Sequence, residues 1–156
     1  RPTEHDRAHM RRALELALAA GEAGEAPIGA VVYETSTGKA IAEAANTRER
    51  NRDPAGHAEH TAISEACRVI GDWRLNHCTL VVTLEPCPMC AGLIVNARVG
   101  RLVFGAFDPK AGACRSLYRM ADDPRLNHRA ELVTGLEAET SAELLTSFFR
   151  RLRARP

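Results

Sequence analysis

The sequence predicts an α/β domain, a three-layer α/β/α sandwich built on a five-stranded mixed sheet, and three observations point to it. Segments of strand pattern alternate with segments of helical period along the chain, which implies a sheet covered on both faces. The first two strands are close enough in sequence to form a hairpin. Residues Cys78 to Leu84 form an unbroken apolar run rich in β-branched residues, the pattern of a strand buried on both faces. With 156 residues, 45% of them hydrophobic, the chain can bury one sizeable core and is short for two, so residues 1–156 read as one domain.

From Asp6 to Ala20, the residues Met10, Ala13, Leu14, Ala17 and Leu18 recur at helical spacing, and Gly21 and Gly24 stop the run. Ile28 to Tyr33 reads as a strand, Ser36-Thr37-Gly38 as its turn, and Lys39 to Ala45 as an alanine-rich partner strand. The polar stretch Asn46 to Pro54 is a loop, delivering the chain to a helix that starts near His57 and ends by Gly71. Pro86 ends the buried strand, and Pro88 suits the first turn of a new helix, where its missing N–H has no partner to lose. Ala91, Leu93, Ile94 and Val95 continue that helix. Leu102 to Phe107 is a fourth strand, Asp108 to Gly112 a loop, Ser116 to Met120 a short helix and Ala130 to Thr134 a fifth strand. A last helix, about 141–154, buries Leu144, Leu145, Phe148 and Leu152 and is basic towards its end.

Composition narrows the function classes. No stretch reaches the roughly 20 apolar residues of a membrane span, and the opening Arg-Pro-Thr-Glu-His-Asp is no apolar signal segment, so no membrane contact is expected. Five cysteines, an odd number, fit a reducing compartment better than a disulfide framework, and the cytoplasm is the expected location. A net charge of +1 predicts no general attraction to nucleic acid. The basic residues are unevenly placed, however, with Arg7, Arg11 and Arg12 near one end and Arg150, Arg151, Arg153 and Arg155 near the other. Taken alone, such runs read as solvated helix faces.

Chemistry concentrates in two short segments. His57-Ala58-Glu59 opens one helix, and Pro86-Cys87-Pro88-Met89-Cys90 opens another directly after the buried strand. A lone histidine is more often structural than a ligand, and a lone Cys-x-x-Cys is as often redox-active. Together they say more. Cys87 and Cys90, three apart on a first helical turn, face the same way and can share one ion. His57, also at a helix start, is the best placed third ligand for one zinc ion, and three protein ligands leave the fourth tetrahedral position for water. Two thiolates roughly cancel the charge of the metal, so a base is required, and Glu59 is close enough to move the protons of that water without ligating the ion.

The pair of segments carries the H-x-E…P-C-x-x-C pattern of zinc-dependent nucleobase deaminases. Beyond it, the sequence resembles the bacterial tRNA adenosine deaminases of the zinc-dependent cytidine/deoxycytidylate deaminase superfamily, which convert the wobble adenosine of an arginine tRNA to inosine. The resemblance runs through Glu25-Ala26-Pro27-Ile28-Gly29-Ala30-Val31, Asn46, Asp53-Pro54 and Leu80 to Gly92. It persists through Gly105 to Ala113, Leu126-Asn127-His128 and Phe148-Phe149-Arg150. It implies a cytidine-deaminase-like fold, one zinc ion per subunit, a homodimer, and tRNA as partner through its anticodon loop. It further implies that Asn46 hydrogen-bonds the flipped purine, that the Leu84 to Pro86 turn lines the pocket near the leaving amine, and that Asp108 contacts the neighbouring nucleotide. Phe149, Arg150 and the arginines after them would support the anticodon loop. Arg115 departs from the pattern, standing where the family usually has glycine, as do Ala55, Gly56 and Ser141.

Three rivals stay open on the sequence. A deaminase of a free base or nucleoside, such as guanine or cytidine, keeps every zinc residue and needs no basic terminal helix. A noncatalytic, zinc-stapled RNA-binding subunit keeps the ligands and has no use for Glu59. A thiol redox protein uses Cys87 and Cys90 alone.

Overall fold

Thr3 starts the first helix, α1 (Glu4–Glu22), through a reciprocal cap: its hydroxyl accepts the Asp6 N–H at 3.1 Å while the Asp6 carboxylate accepts the Thr3 N–H at 2.8 Å. This cap begins the helix two residues before its apolar period does. In a computed structural model describing residues 1–156, the chain then runs through β1 (Gly29–Glu34), β2 (Ala40–Ala45), a one-turn α2 (Arg48–Asn51) and α3 (Ala58–Ile70). It continues as β3 (Cys78–Leu84), α4 (Pro88–Asn96), β4 (Arg101–Ala106), β5 (Glu131–Thr134) and α5 (Ala138–Ala154). The predicted mixed sheet of five strands is present in the order β2-β1-β3-β4-β5. β1 pairs antiparallel with β2 and β3, and β3, β4 and β5 run parallel.

Alternation along the strands divides the core in two. Ala30, Val32, Leu80, Val82, Leu102 and Phe104 face α3 and α4, packing on Ala62, Ile63 and Ile94. Val31, Tyr33, Val81, Val103 and Val133 face the other way, onto Met10 and Ala13 of α1. α5 packs on the same side, against α1, β3 and β4. Gly29 allows the close approach of α1, since a Cβ there would sit 2.9 Å from the Ala17 nitrogen. No helix is long and apolar enough to cross a membrane.

Several expectations are corrected. Asn46 to Pro54 is not all loop, because the buried Glu25 carboxylate accepts the N–H groups of Glu49 and Arg50 at 2.9 and 2.8 Å and holds the turn of α2. Ser116 to Met120 forms no helix: Ser116 closes a turn that begins at Ala113, and residues 118–120 are irregular. The N–H groups of Cys114, Arg115 and Ser116 all point at the Glu85 carboxylate, which holds this stretch as a turn against the end of β3. α5 begins at Ala138 and buries Phe148 but leaves Leu152 48% exposed and Leu144 and Leu145 only half-buried. Its last turns project past the sheet. Ser141, where the resemblance favours cysteine, is buried with its hydroxyl donating to the Thr83 carbonyl.

One buried polar network ties α1 to the sheet. Arg101 donates to both oxygens of Asp6 at 2.7 Å, and the Tyr33 hydroxyl donates to the same carboxylate at 2.6 Å. Burial opposes the charge of Asp6, but these bonds and the Thr3 N–H outweigh it and hold the carboxyl at about 2. A carboxyl lowered by folding stabilises the protein fully above its unfolded value, and that contribution is lost as pH falls from about 4 through about 2. Asp6→Asn, which leaves the buried Arg101 with only the exposed Glu131, 3.4 Å away, as a charged partner, is expected to cost about 3 kcal/mol at pH 7. Denaturant melts should show that loss together with a flatter acid limb between pH 4 and pH 2.

Candidate active site and metal centre

The C-terminal end of β3 and the N-termini of α3 and α4 meet at one place. His57 is the N-cap of α3 and Cys87 the N-cap of α4, both in extended backbone, with Pro88 in the first turn that brings Cys90 beneath Cys87. The Nδ1 atom of His57 lies 3.6 Å from Cys87 Sγ and 3.5 Å from Cys90 Sγ, and all three donor atoms fall within 4.8 Å of one another. Tetrahedral bonds of about 2.0–2.3 Å subtend edges of about 3.5–3.8 Å between nitrogen and sulfur donors. The donor set therefore fits zinc in both type and spacing. Helix dipoles at two N-termini favour the negative ligands of such a site.

Proton affinities are already unequal there. Hydrogen bonds from the Cys90 thiol and the His57 ring hold the Cys87 thiol down at about 4 against the effect of its burial. The same pairing, with burial, pushes Cys90 up. The hydrogen bond to Cys87 raises His57, against its own burial. Glu59, 4% exposed, is pushed up to about 7 by burial, against the lowering effects of its own backbone N–H and of His57.

A cleft of about 930 Å³ opens over these residues. His57, Glu59 and Cys87 line its floor, and Asn46, Leu84, Asp108 and Phe149 line its walls, so most of the residues expected at the site come together. Pro86 and Arg150 do not line it. Pro86 is buried and accepts the Ala113 N–H on its carbonyl, while Arg150 faces solvent and Arg153, one turn on, reaches the cleft instead. The side chain of Asn46 also holds its own turn, accepting the Arg48 N–H at 3.0 Å and donating to the Ala26 carbonyl at 3.3 Å. The Phe148-Phe149 pair splits between roles, Phe148 being 8% exposed and Phe149 41% exposed.

One residue of the cleft, and the role of another within the expected Leu84 to Pro86 turn, were not legible in the sequence. Arg48 lines the cleft from α2. Glu85, 2% exposed, accepts the N–H groups of Asp108, Cys114, Arg115 and Ser116 and the hydroxyl of Ser116. Burial opposes its charge, but these bonds hold the carboxyl below its usual range. Its one sequence signal is an acidic residue at the end of an otherwise apolar strand. Arg115 turns its guanidinium away onto Asp122, at 3.0 and 2.9 Å, which clamps the following turn.

Residues 3–153 match the family described as MafB19-like deaminase. The tRNA-specific adenosine deaminase of Bacillus subtilis (strain 168) is 48% identical over 148 residues, covering 95% of this chain and 91% of that protein. A solved structure from biochemical and structural studies of A-to-I editing by tRNA:A34 deaminases at the wobble position of transfer RNA has a TM-score of 0.83 at 43% identity. That match covers 88% of this chain and 99% of the other. Guanine deaminase from Nitrosomonas europaea has a TM-score of 0.76 at 28% identity, covering 91% of this chain and 83% of the other. A match that spans nearly the whole chain, at such identity, places this protein in the MafB19-like deaminase family, grouped with the tRNA-specific adenosine deaminases.

Proposed function

We propose that this protein hydrolyses adenosine to inosine at the wobble position of a tRNA anticodon loop, releasing ammonia, with His57, Cys87 and Cys90 holding one zinc ion. The observation that carries the reading is the convergence of three metal donors and the buried Glu59 on the floor of one cleft whose rim is built from α5 and the 106–111 segment. Zinc bound there supplies Lewis-acid activation of a water and compensates charge that develops in the substrate. Glu59 accepts a proton from the attacking water and delivers it to the ring nitrogen beside the carbon that carries the exocyclic amine. A second transfer through Glu59 lets the amine leave as ammonia. Asn46 has an amide hydrogen left to orient the purine, and the backbone at Leu84 walls the side from which the amine departs.

A base must leave its stack to enter such a cleft, and a nucleotide in an anticodon loop does so at low cost. The tail supplies the charge for an RNA partner. Arg12 is held by Glu43 at 2.8 Å and Arg7 by Glu4 at 3.5 Å, whereas Arg150, Arg151, Arg153 and Arg155 are exposed on or just beyond α5. Removing residues 150–156 is expected to weaken RNA binding and to flatten its salt dependence, each lost phosphate contact lowering the slope by about 0.7–0.9. An unchanged slope in a filter-binding titration would contradict that assignment.

The arginine-type anticodon loop is the substrate favoured by the resemblance. A homodimer is part of the same reading, supported by the exposed apolar Met89, Leu117 and Tyr118 beside the segment that packs Met120 on α4. A cytoplasmic setting accords with five free cysteines and a tRNA substrate. Competition tests the choice of substrate. Offered tRNA and free guanine together, the protein is expected to convert tRNA adenosine and to spare guanine; brisk turnover of guanine with tRNA left intact would instead make it a free-base deaminase.

A further inference from the structure

Glu85 joins the strand that leads into the metal ligands to the loop that forms the rim of the cleft. Its two oxygens divide the work unequally. Oε1 accepts the Asp108 N–H at 3.0 Å and the Ser116 hydroxyl, while Oε2 accepts the N–H groups of Cys114, Arg115 and Ser116 at 3.1, 2.8 and 2.8 Å. Gly112, within the same loop, is open to this carboxylate, and a Cβ there would collide with it. The first anchored residue, Asp108, and the Pro109, Lys110 and Ala111 that follow it all line the cleft. The Asp108 side chain is itself oriented, since its Oδ1 accepts the N–H groups of Lys110 and Ala111 at 3.0 and 3.2 Å. Its other oxygen is thereby left to be presented at the rim.

We propose that Glu85 is a positioning residue for polynucleotide recognition, fixing the 108–116 loop so that Asp108 and Lys110 meet the nucleotides beside the target base. The inference rests on the RNA deaminase reading. It assigns Glu85 an effect on how the RNA is held at the rim and none on proton transfer, which belongs to the floor of the cleft.

The asymmetry of the two oxygens makes the idea testable with one isosteric change. In Glu85→Gln an amide NH2 replaces one oxygen. Turned towards residues 114–116 it would oppose three N–H donors; turned towards Oε1's place it opposes only the Asp108 N–H, because the Ser116 hydroxyl can rotate and accept. The variant therefore keeps the far anchor and releases Asp108.

Purified Glu85→Gln is expected to retain zinc at the wild-type ratio, to exchange its Asp108 amide hydrogen faster, and to keep the amides of 114–116 protected. With an anticodon stem-loop RNA, KM should rise about tenfold or more, as for the loss of one charge-assisted hydrogen bond. In the same assay kcat should stay within about threefold of wild type. Gly112→Ala, which presses a methyl group on the carboxylate from the loop side, should reproduce the rise in KM and covers the case in which Glu85→Gln does not fold. Unchanged KM, a fall in kcat at unchanged KM, or loss of zinc would overturn the assignment. Wild-type protein that leaves the stem-loop adenosine intact would overturn the RNA reading instead, and Asp108 exchange would still decide whether Glu85 anchors the loop.

Discussion

Glu59→Ala is expected to abolish turnover by about four orders of magnitude or more while the protein keeps its fold and its zinc. The reason is positional. Glu59 is the carboxylate on the floor of the cleft beside His57 and Cys87, whereas of the other two that line it Glu85 is engaged by five donors from the 108–116 loop and Asp108 belongs to the rim, its Oδ1 held by the N–H groups of Lys110 and Ala111. Neither of those two stands beside the metal donors to carry protons between the water and the purine ring. Methyl replacement leaves the three metal donors untouched, so elemental analysis should find wild-type zinc in an inactive protein. Turnover within tenfold of wild type would remove Glu59 from the role assigned to it.

Cys87→Ala is expected to lose both metal and activity. Two sulfurs and one imidazole are the fewest donors that leave a position open and still hold zinc tightly; with one sulfur gone the remaining pair should bind it far more weakly. Chelator treatment of the wild-type protein should give the same inactive state, reversed by added zinc. Cys67→Ala provides the contrast, because Cys67 is half-buried near the C-terminal end of α3, with its thiol directed at the Trp73 carbonyl, away from the cleft. Metal content unaltered by Cys87→Ala would exclude the ligand set.

The fold was legible where a local pattern decides the structure. Cys78 to Leu84 is a strand at the predicted bounds because burial on both faces leaves a run without charge, apolar but for the β-branched Thr79 and Thr83. Pro88 marks the first turn of α4 because only there is its missing N–H harmless. The meeting of the two candidate sulfur donors was readable for the same reason, since spacing along a helix start determines which way Cys87 and Cys90 face. What failed depends on partners far along the chain. The α2 turn is held by Glu25, some two dozen residues earlier, and the turns at 113–117 are held by Glu85, whose carboxylate no periodicity reveals. Leu152 keeps the helical period of α5 yet lies exposed, because a period reports which face is apolar and not how far the sheet beneath it extends. Which of the arginines after Phe149 lines the cleft was not legible either: it is Arg153, because the rotation of α5 about its axis is set by Ser141 and Phe148 at its buried face, not by its charges.

The basic tail and the cleft meet at α5, and this is where structure turns into specificity. Leu145, Thr146, Phe149 and Arg153 present one face of the helix to the cleft, placing an apolar surface and a cation above the metal donors. A free base can fill the floor without touching that face. The proposed RNA substrate would engage both.

Exposing unmodified tRNA to the purified protein and mapping inosine nucleotide by nucleotide tests the account most directly. Inosine confined to the first anticodon position of an arginine tRNA, and absent when Glu59→Ala protein is used, is the predicted result. Inosine nowhere in the pool, or scattered through stacked stem positions, would contradict it.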